Sequence, residues 1–188
     1  NITTFMNGMA MGWLSPSVPY LMSNATVVGT EPMTDNQIAW MNGATSIGAV
    51  IMLPFCGILC ERLGRKVTGC LIAVPFFLCW LLKVAATNYL YLIIARLLVG
   101  FSAAMFGCLV PIYVSEIAAT SIRGQLGSVL IFALNIGILT GYVLGTVLDY
   151  TTLASSVMMI PIIFFGLFLF MPETPIYLVR KGRIAEAT

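Results

Sequence analysis

Six long apolar runs, separated by short connections that carry almost every charge, dominate this sequence. Each run is near the ~20 residues that an α-helix needs to cross the hydrocarbon core of a bilayer. Helix rather than strand follows from the length of the runs and from the lack of alternation, because a backbone in lipid must satisfy its own hydrogen bonds. We place the runs at about 4–22, 37–60, 67–87, 89–114, 125–148 and 154–171.

The sequence therefore predicts an all-α membrane protein with six transmembrane helices. Residues 1–171 form the predicted six-helix transmembrane domain, and residues 172–188 begin a cytoplasmic linker helix region. Only 9% of the residues are charged, against about 25% in an ordinary soluble domain. A soluble fold would need far more polar surface, so lipid is the solvent that fits this composition.

Several function classes are excluded by what the chain lacks. It has no histidine, so histidine-based catalysis and histidine metal sites are impossible in this segment. An intramembrane enzyme would need paired carboxylates or a serine with a base within the spans, and neither is present. The five cysteines lie in or beside apolar runs, where they are interpreted as small buried hydrophobes. We expect no enzyme, no cofactor, no metal and no nucleic-acid partner.

The distribution of lysine and arginine predicts the topology. Seven of the nine lie in the second and fourth connections and in the C-terminal tail, which all face one side. By the positive-inside rule both ends of the segment are cytoplasmic, and a multi-pass protein of the plasma membrane is expected. Asn24 begins an N-glycosylation pattern with Thr26 in the first external connection. Its closeness to the first span leaves modification at Asn24 an open question.

Small residues recur at four-residue spacing inside three of the spans, which lets helix backbones approach closely. They are Gly8 and Gly12 in the first span, Gly100 and Ala104 in the fourth, and Gly137, Gly141 and Gly145 in the fifth.

The connection between spans two and three reads GILCERLGRK over residues 57–66. Arg62 and Arg65 can donate to Glu116 at the end of span four, while Arg123 at the start of span five adds another cation. Such a cluster would be a gate, closed when its ion pairs form and open when they part. Exposed pairs contribute only about 0–1 kcal/mol each, although a sheltered network can exceed that.

Arg96 is the one cation placed well inside a predicted span. A fixed charge in a membrane helix is costly and is a candidate functional site by default. The equally strong alternative is a structural role, in which Arg96 pairs with carbonyls or a carboxylate of the bundle.

Together these motifs resemble the sugar porters of the major facilitator superfamily. The pattern at 57–66 is similar to the second-to-third span signature of that superfamily, and Arg96 with Gly100 resembles the R-x-x-x-G of sugar porters. The segment 172–175 reads PETP and resembles the motif that ends the first half, with Ile176 where those proteins carry arginine. With the last motif included, the candidate gate consists of Glu61, Arg62, Arg65, Glu116, Arg123 and Glu173.

Within that superfamily, the segments 8–16 and 135–139 are most similar to the insect facilitated trehalose transporters. The resemblance implies two six-helix halves around a central site, with alternating access. This chain would be the N-terminal half, and its partners would be a C-terminal six-helix half, the bilayer and a small sugar.

A sugar site needs hydrogen-bonding side chains and an apolar or aromatic wall. Asn135 supplies an amide in span five, four residues after Ile131, which occupies the position where glucose porters carry glutamine. Asn135 either contacts substrate or makes a helix–helix hydrogen bond. Ser15 and Trp13 in span one are further candidates for substrate binding.

No carboxylate lies deep in a span, and Leu14 occupies the position where proton-coupled relatives carry aspartate. We therefore expect passive uniport of trehalose or a hexose. The alternative is a non-transporting sugar sensor or an inactive truncated paralogue of the same fold, which the changes at Ile131 and Ile176 keep open.

Overall fold

The computed structural model describes residues 1–24, 26, 28–29, 31–118, 122–171, 173–174, 177 and 179. Most of the predicted linker region over 172–188, including Ile176, lies outside these described residues. Seven α-helices follow one another along the described chain. They are α1 Ile2–Gly12, α2 Leu14–Leu21, α3 Asp35–Leu63, α4 Arg65–Val84, α5 Tyr89–Ile117, α6 Arg123–Val147 and α7 Tyr150–Leu169.

The last five helices are each long and apolar enough to cross a membrane. The first predicted span is formed by α1 and α2, which meet at Trp13 in helical backbone conformation (φ −56°, ψ −31°). Proline has no N–H, so Pro16 cannot donate to the Gly12 carbonyl and the helix is interrupted there. Helical bonds on either side continue, from the Trp13 N–H to the Met9 carbonyl and from the Ser17 N–H to the Trp13 carbonyl. The two helices cover residues 2–21, about 30 Å of helix.

Glycines bring two pairs of helices into backbone contact. α1 packs against α6, and α3 packs against α5. A Cβ at Gly8 would meet the Leu134 carbonyl oxygen, and one at Gly137 would meet the Phe5 carbonyl oxygen. A Cβ at Gly100 would meet the Thr45 carbonyl oxygen of α3. The predicted role of the small residues in close packing is therefore confirmed for both helix pairs.

α4 completes the bundle by packing against both α5 and α7. The two ends of α4 lie at opposite ends of the molecule, and we name these the Arg65 end and the Lys83 end. The Arg65 end holds the turn between α3 and α4, and the Lys83 end holds the connection between α4 and α5. The predicted gate residues belong to the Arg65 end.

The glycine contacts predict that Gly100→Ala lowers the stability of the protein by about 1–3 kcal/mol, because α3 and α5 must separate to admit the methyl group. Gly107→Ala is the matched control on the same helix, since no described atom lies within 4 Å of the added Cβ. That change should be neutral or stabilising by up to about 1 kcal/mol. Thermal unfolding of the purified protein in detergent measures both, and equal midpoints for the two variants would contradict the close approach at Gly100.

Candidate functional site

The Arg65 end is organised around one buried guanidinium group. Arg65 Nε donates to Glu116 Oε2 at 3.0 Å, and Nη2 donates to Glu116 Oε1 at 2.6 Å, so the two side chains form a two-pronged ion pair. Arg65 Nη1 donates to the Cys60 carbonyl at 3.2 Å, which is one of the carbonyls left open at the end of α3. Arg65 therefore joins the end of α3, the start of α4 and the end of α5.

A second carboxylate at this end binds backbone rather than side chains. Glu173 Oε2 accepts from the Arg65 N–H at 3.2 Å, and Oε1 accepts from the Lys66 N–H at 2.5 Å. These are open N–H groups in the first turn of α4, where the helix dipole favours negative charge. Glu173 thus fixes the segment after α7 to the start of α4.

Gly64 makes this arrangement possible. It is the single residue between α3 and α4, and its φ of +90° favours glycine. A Cβ at Gly64 would lie 2.8 Å from Glu173 Oε1 and 2.9 Å from the Tyr177 ring. The Tyr177 ring lies over the Arg65 guanidinium at 5.5 Å, and its hydroxyl donates to the Arg62 carbonyl.

The remaining predicted gate residues lie at the surface of the same end. Glu61 and Arg62 are exposed in the last turn of α3. Arg123 is exposed, and its Nη2 donates to the Ser115 carbonyl at 2.8 Å and to the Ala118 carbonyl at 3.5 Å. In this structure Arg123 caps the C-terminus of α5, a favourable place for a cation, and the pairing with Glu116 is made by Arg65.

The contribution of the Arg65–Glu116 pair to stability depends on how deeply the pair is buried. The two side chains are only 5% and 10% exposed, so the small values measured for surface pairs do not apply. A two-pronged, charge-assisted pair of this kind is among the stronger hydrogen-bonded contacts in proteins. Removing one partner would leave the other charge buried and unpaired, at a cost of about 3–5 kcal/mol.

The interior of the Lys83 end holds a cluster of aromatic rings and cations that the sequence analysis did not anticipate. The Lys83 ammonium lies between two indoles, 3.9 Å from the centroid of Trp13 and 3.6 Å from that of Trp80. Trp13 also packs against Tyr150, with ring centroids 6.0 Å apart, and the Tyr150 hydroxyl donates to the Lys83 carbonyl at 3.1 Å. α1, α2, α4 and α7 thus meet around Lys83.

Arg96 enters the same cluster from α5. Its Nη1 donates to the Ala10 carbonyl of α1 at 3.2 Å, and its guanidinium lies over the Trp13 ring at 5.0 Å. Of the two roles open to Arg96, the contact observed here is the structural one, with a carbonyl of the bundle. Among the described residues, no carboxylate is paired with it.

The cluster encloses its two cations almost completely. Lys83 is 1% exposed and Arg96 is 4% exposed. Burying an ion costs several kcal/mol even after relaxation, whereas a desolvated cation–π contact returns about 2 kcal/mol. Two like charges also repel each other across the low-dielectric interior. Among the described contacts, neither Lys83 nor Arg96 is paired with a carboxylate.

A sequence signal for this cluster exists in the spacing of Trp80 and Lys83. Residues three apart lie on the same face of a helix, so an indole and a lysine at this spacing share one side of α4.

The three residues predicted to bind substrate are separated by the structure. Trp13 is buried in the Lys83 cluster and lies away from the exposed face of the first span. Ser15 and Asn135 are both exposed. They belong to α2 and α6, which pack against each other.

Asn135 occupies the centre of the exposed face of α6. Ile131 and Leu139, one turn to either side, are 64% and 63% exposed. The Asn135 amide nitrogen donates to the Ile131 carbonyl at 2.9 Å. No helix–helix bond of Asn135 occurs among the described contacts, so the amide is presented on the same face as Ile131, as expected from their spacing.

Asn24 is exposed just beyond the end of α2 at Leu21. Thr26 of the same pattern is held in a turn, where its N–H donates to the Ser23 carbonyl and its hydroxyl accepts from the Val28 N–H. Glycosylation at Asn24 stays a prediction.

The Arg65 end predicts that Glu116→Gln lowers stability by about 3–5 kcal/mol, because Arg65 would remain buried without its counter-charge. Glu61→Gln is the matched control: it removes a carboxylate at the same end, but an exposed one, and should change stability by no more than about 0.5 kcal/mol. Chemical unfolding followed by circular dichroism compares the two. A loss below about 1 kcal/mol for Glu116→Gln would contradict a stabilising buried pair.

Known proteins resemble this chain in sequence over almost its whole length. The sequence model of the family described as "Sugar (and other) transporter" matches residues 2–188. Solute carrier family 2, facilitated glucose transporter member 8, of Mus musculus is 34% identical over 96% of this chain and 37% of the mouse protein. Facilitated trehalose transporter Tret1 of Bombyx mori is 34% identical over 96% of this chain and 34% of the silkworm protein.

Solved structures resemble it in fold. The proton:xylose symporter XylE bound to 6-bromo-6-deoxy-D-glucose superposes with a TM-score of 0.84 at 22% identity, over 99% of this chain and 46% of that chain. The chain thus spans about a third of the length of the curated relatives it matches, and about half of the solved transporter. It belongs to the sugar transporter family and has the fold of the N-terminal six-helix half of a major facilitator superfamily transporter.

Proposed function

We propose that the full-length protein containing this half is a facilitative sugar transporter. It carries trehalose or a hexose down a concentration gradient by alternating access. The relatives named for facilitated glucose and trehalose transport support this substrate class. The protein resides in the plasma membrane, with both ends of this segment in the cytoplasm, as the positions of lysine and arginine favour.

The observation that carries the proposal of uniport is the surroundings of Arg96. Proton-coupled transporters place carboxylates within their spans as relays. Arg96 binds the Ala10 carbonyl and the Trp13 ring, and Leu14 follows directly in the first span. Within the described helices every aspartate and glutamate lies in a terminal turn or a connection. Among the described residues, no carboxylate lies beside Arg96 to take up and release a proton.

The substrate contacts proposed for this half lie on the exposed faces of α2 and α6. Asn135 provides an amide between two exposed apolar side chains, Ile131 and Leu139, which combines hydrogen bonding with an apolar wall. Ser15 provides a hydroxyl on the neighbouring helix. These groups form one wall of a cavity that a second half completes.

The Arg65 end is the proposed cytoplasmic gate. Its buried contacts join helices within this half, so they hold the ends of α3, α4 and α5 together as one unit. The exposed residues Glu61, Arg62 and Arg123 are the ones that a second half could contact. A gate made of such exposed pairs is weak enough to open during transport.

The substrate proposal predicts saturable uptake of radiolabelled trehalose or glucose by proteoliposomes holding the full-length protein. Asn135→Ala should raise KM by about 10-fold, because losing a hydrogen bond in a desolvated site costs about 1–2 kcal/mol. Ser128→Ala is the matched control on α6, since its hydroxyl is exposed and donates to the Gly124 carbonyl. Unchanged KM in Asn135→Ala would remove this residue from the site, and lack of uptake by the wild type would favour a sugar sensor.

Uniport predicts that sugar uptake is insensitive to an imposed proton gradient. The same vesicles, loaded with a pH-sensitive dye, should show no acidification of the lumen during sugar entry, because no carboxylate accompanies Arg96. Uptake that rises with the gradient, together with acidification, would overturn uniport while leaving sugar transport intact.

A further inference from the structure

Tyr177, which follows α7, contacts the same guanidinium group that organises the Arg65 end. Glu116 and the Cys60 carbonyl accept hydrogen bonds from the edge of that group. The Tyr177 ring lies over its face, with the guanidinium carbon 5.5 Å from the ring centroid. Hydrogen bonds of a guanidinium lie in its plane, whereas a ring stacks above the plane. The contacts therefore do not compete, and all of them hold Arg65.

Two side chains beyond the end of α7 bind the turn between α3 and α4. Glu173 accepts from the N–H groups of Arg65 and Lys66 at the start of α4. The Tyr177 hydroxyl donates to the Arg62 carbonyl at 3.3 Å, which is one of the carbonyls left open at the end of α3. The region after α7 is thus fastened both to the end of one helix and to the start of the next.

The Arg65–Glu116 pair is shielded from water although it lies at an end of the bundle. The two side chains are 5% and 10% exposed, whereas Glu61 and Arg62, in the last turn of α3, are exposed. An aromatic ring over the face of a guanidinium removes water from that face. Tyr177 is therefore placed to keep the ion pair buried.

We infer that Tyr177 is a positioning residue of the gate, which shields the Arg65–Glu116 pair and fixes the end of α3 through the Arg62 carbonyl. This inference rests on the proposed function. Without Tyr177, water and salt would weaken the pair, and the backbone that carries the exposed Arg62 side chain would lose a fixed point. The closed gate would then be less populated, because its exposed residues would be less well placed to meet a second half.

The first test uses no sugar and follows thermal unfolding of the purified full-length protein from about 0.05 to about 0.5 M sodium chloride, because salt screens exposed ion pairs far more than buried ones. The midpoint of Tyr177→Ala should fall by about 2 °C or more relative to that of the wild type as salt rises. Tyr177→Phe keeps the ring and should follow the wild type. Tyr91→Ala is the matched control, since Tyr91 is 39% exposed at the opposite end of α5 from Glu116, and it should also follow the wild type.

Parallel salt curves for Tyr177→Ala and the wild type would overturn the inference. If Tyr177→Ala does not fold, Tyr177→Leu replaces it, because leucine keeps an apolar side chain without the flat ring or the hydroxyl. The salt response of Tyr177→Leu should exceed that of Tyr177→Phe, and equal responses of these two variants would count against the ring as the shield.

The second test measures sugar transport from each side of vesicles that hold the full-length protein. Tyr177→Ala should raise the half-saturating sugar concentration on the external side by about two- to fivefold and lower it on the cytoplasmic side, because a weaker cytoplasmic gate favours the state open to the cytoplasm. A merely structural defect lowers the maximal rate and leaves both concentrations unchanged. That result would overturn the gating role and leave sugar transport intact. Lack of transport by the wild type would refute the proposed function instead, and the salt series would still decide whether Tyr177 shields the pair.

Discussion

The bundle depends on how closely its helices approach each other. Lipid tails are as apolar as the side chains between helices, so burial alone gives little reason for helices to associate in a membrane. Contact between backbones supplies the attraction instead, and Gly8, Gly137 and Gly100 permit it because they carry no side chain. The α1–α6 and α3–α5 pairs formed in this way are then joined through α4, which packs against α5 and α7.

Charge is handled differently at the two ends of that bundle. At the Arg65 end, each buried charge has a matched partner: Glu116 for the Arg65 side chain, and the backbone N–H groups of Arg65 and Lys66 for Glu173. At the Lys83 end, aromatic faces and one carbonyl surround two cations. Charges at the Arg65 end are therefore neutralised by ion pairing and hydrogen bonding, whereas those at the Lys83 end are surrounded mainly by aromatic rings.

Sequence reasoning predicted the features that depend on composition and spacing. The six spans agree with the helices because run length and the absence of charge fix where a chain can cross lipid. The pairing of Arg65 with Glu116 also followed from placing both residues at one end. Hydropathy does not report the rotation of a helix, so the interior position of Trp13 was missed. Glu173 was expected to pair with side chains. Its actual partners are backbone N–H groups at the start of α4, and these donors are present whatever the residue types are, so the sequence does not reveal them.

The contacts of the exposed residues Ser15 and Asn135 could not be predicted from the sequence of this segment either. Spacing placed Asn135 on the face of Ile131, and the structure agrees. What that face meets depends on groups contributed by a second half. A rule that pairs residues within one segment cannot supply them.

The one-residue connection at Gly64 has a consequence for how α4 can move. Lys83 follows Arg65 by 18 residues, which is five full turns at 3.6 residues per turn, so both clusters lie along the same side of α4. With no slack between α3 and α4, a twist of α4 about its own axis would displace both clusters together. Inserting a single residue within α4, between Arg65 and Lys83, would turn one cluster by about 100° relative to the other. α4 thus couples the two clusters, because any rotation of this helix moves Arg65 and Lys83 in the same direction.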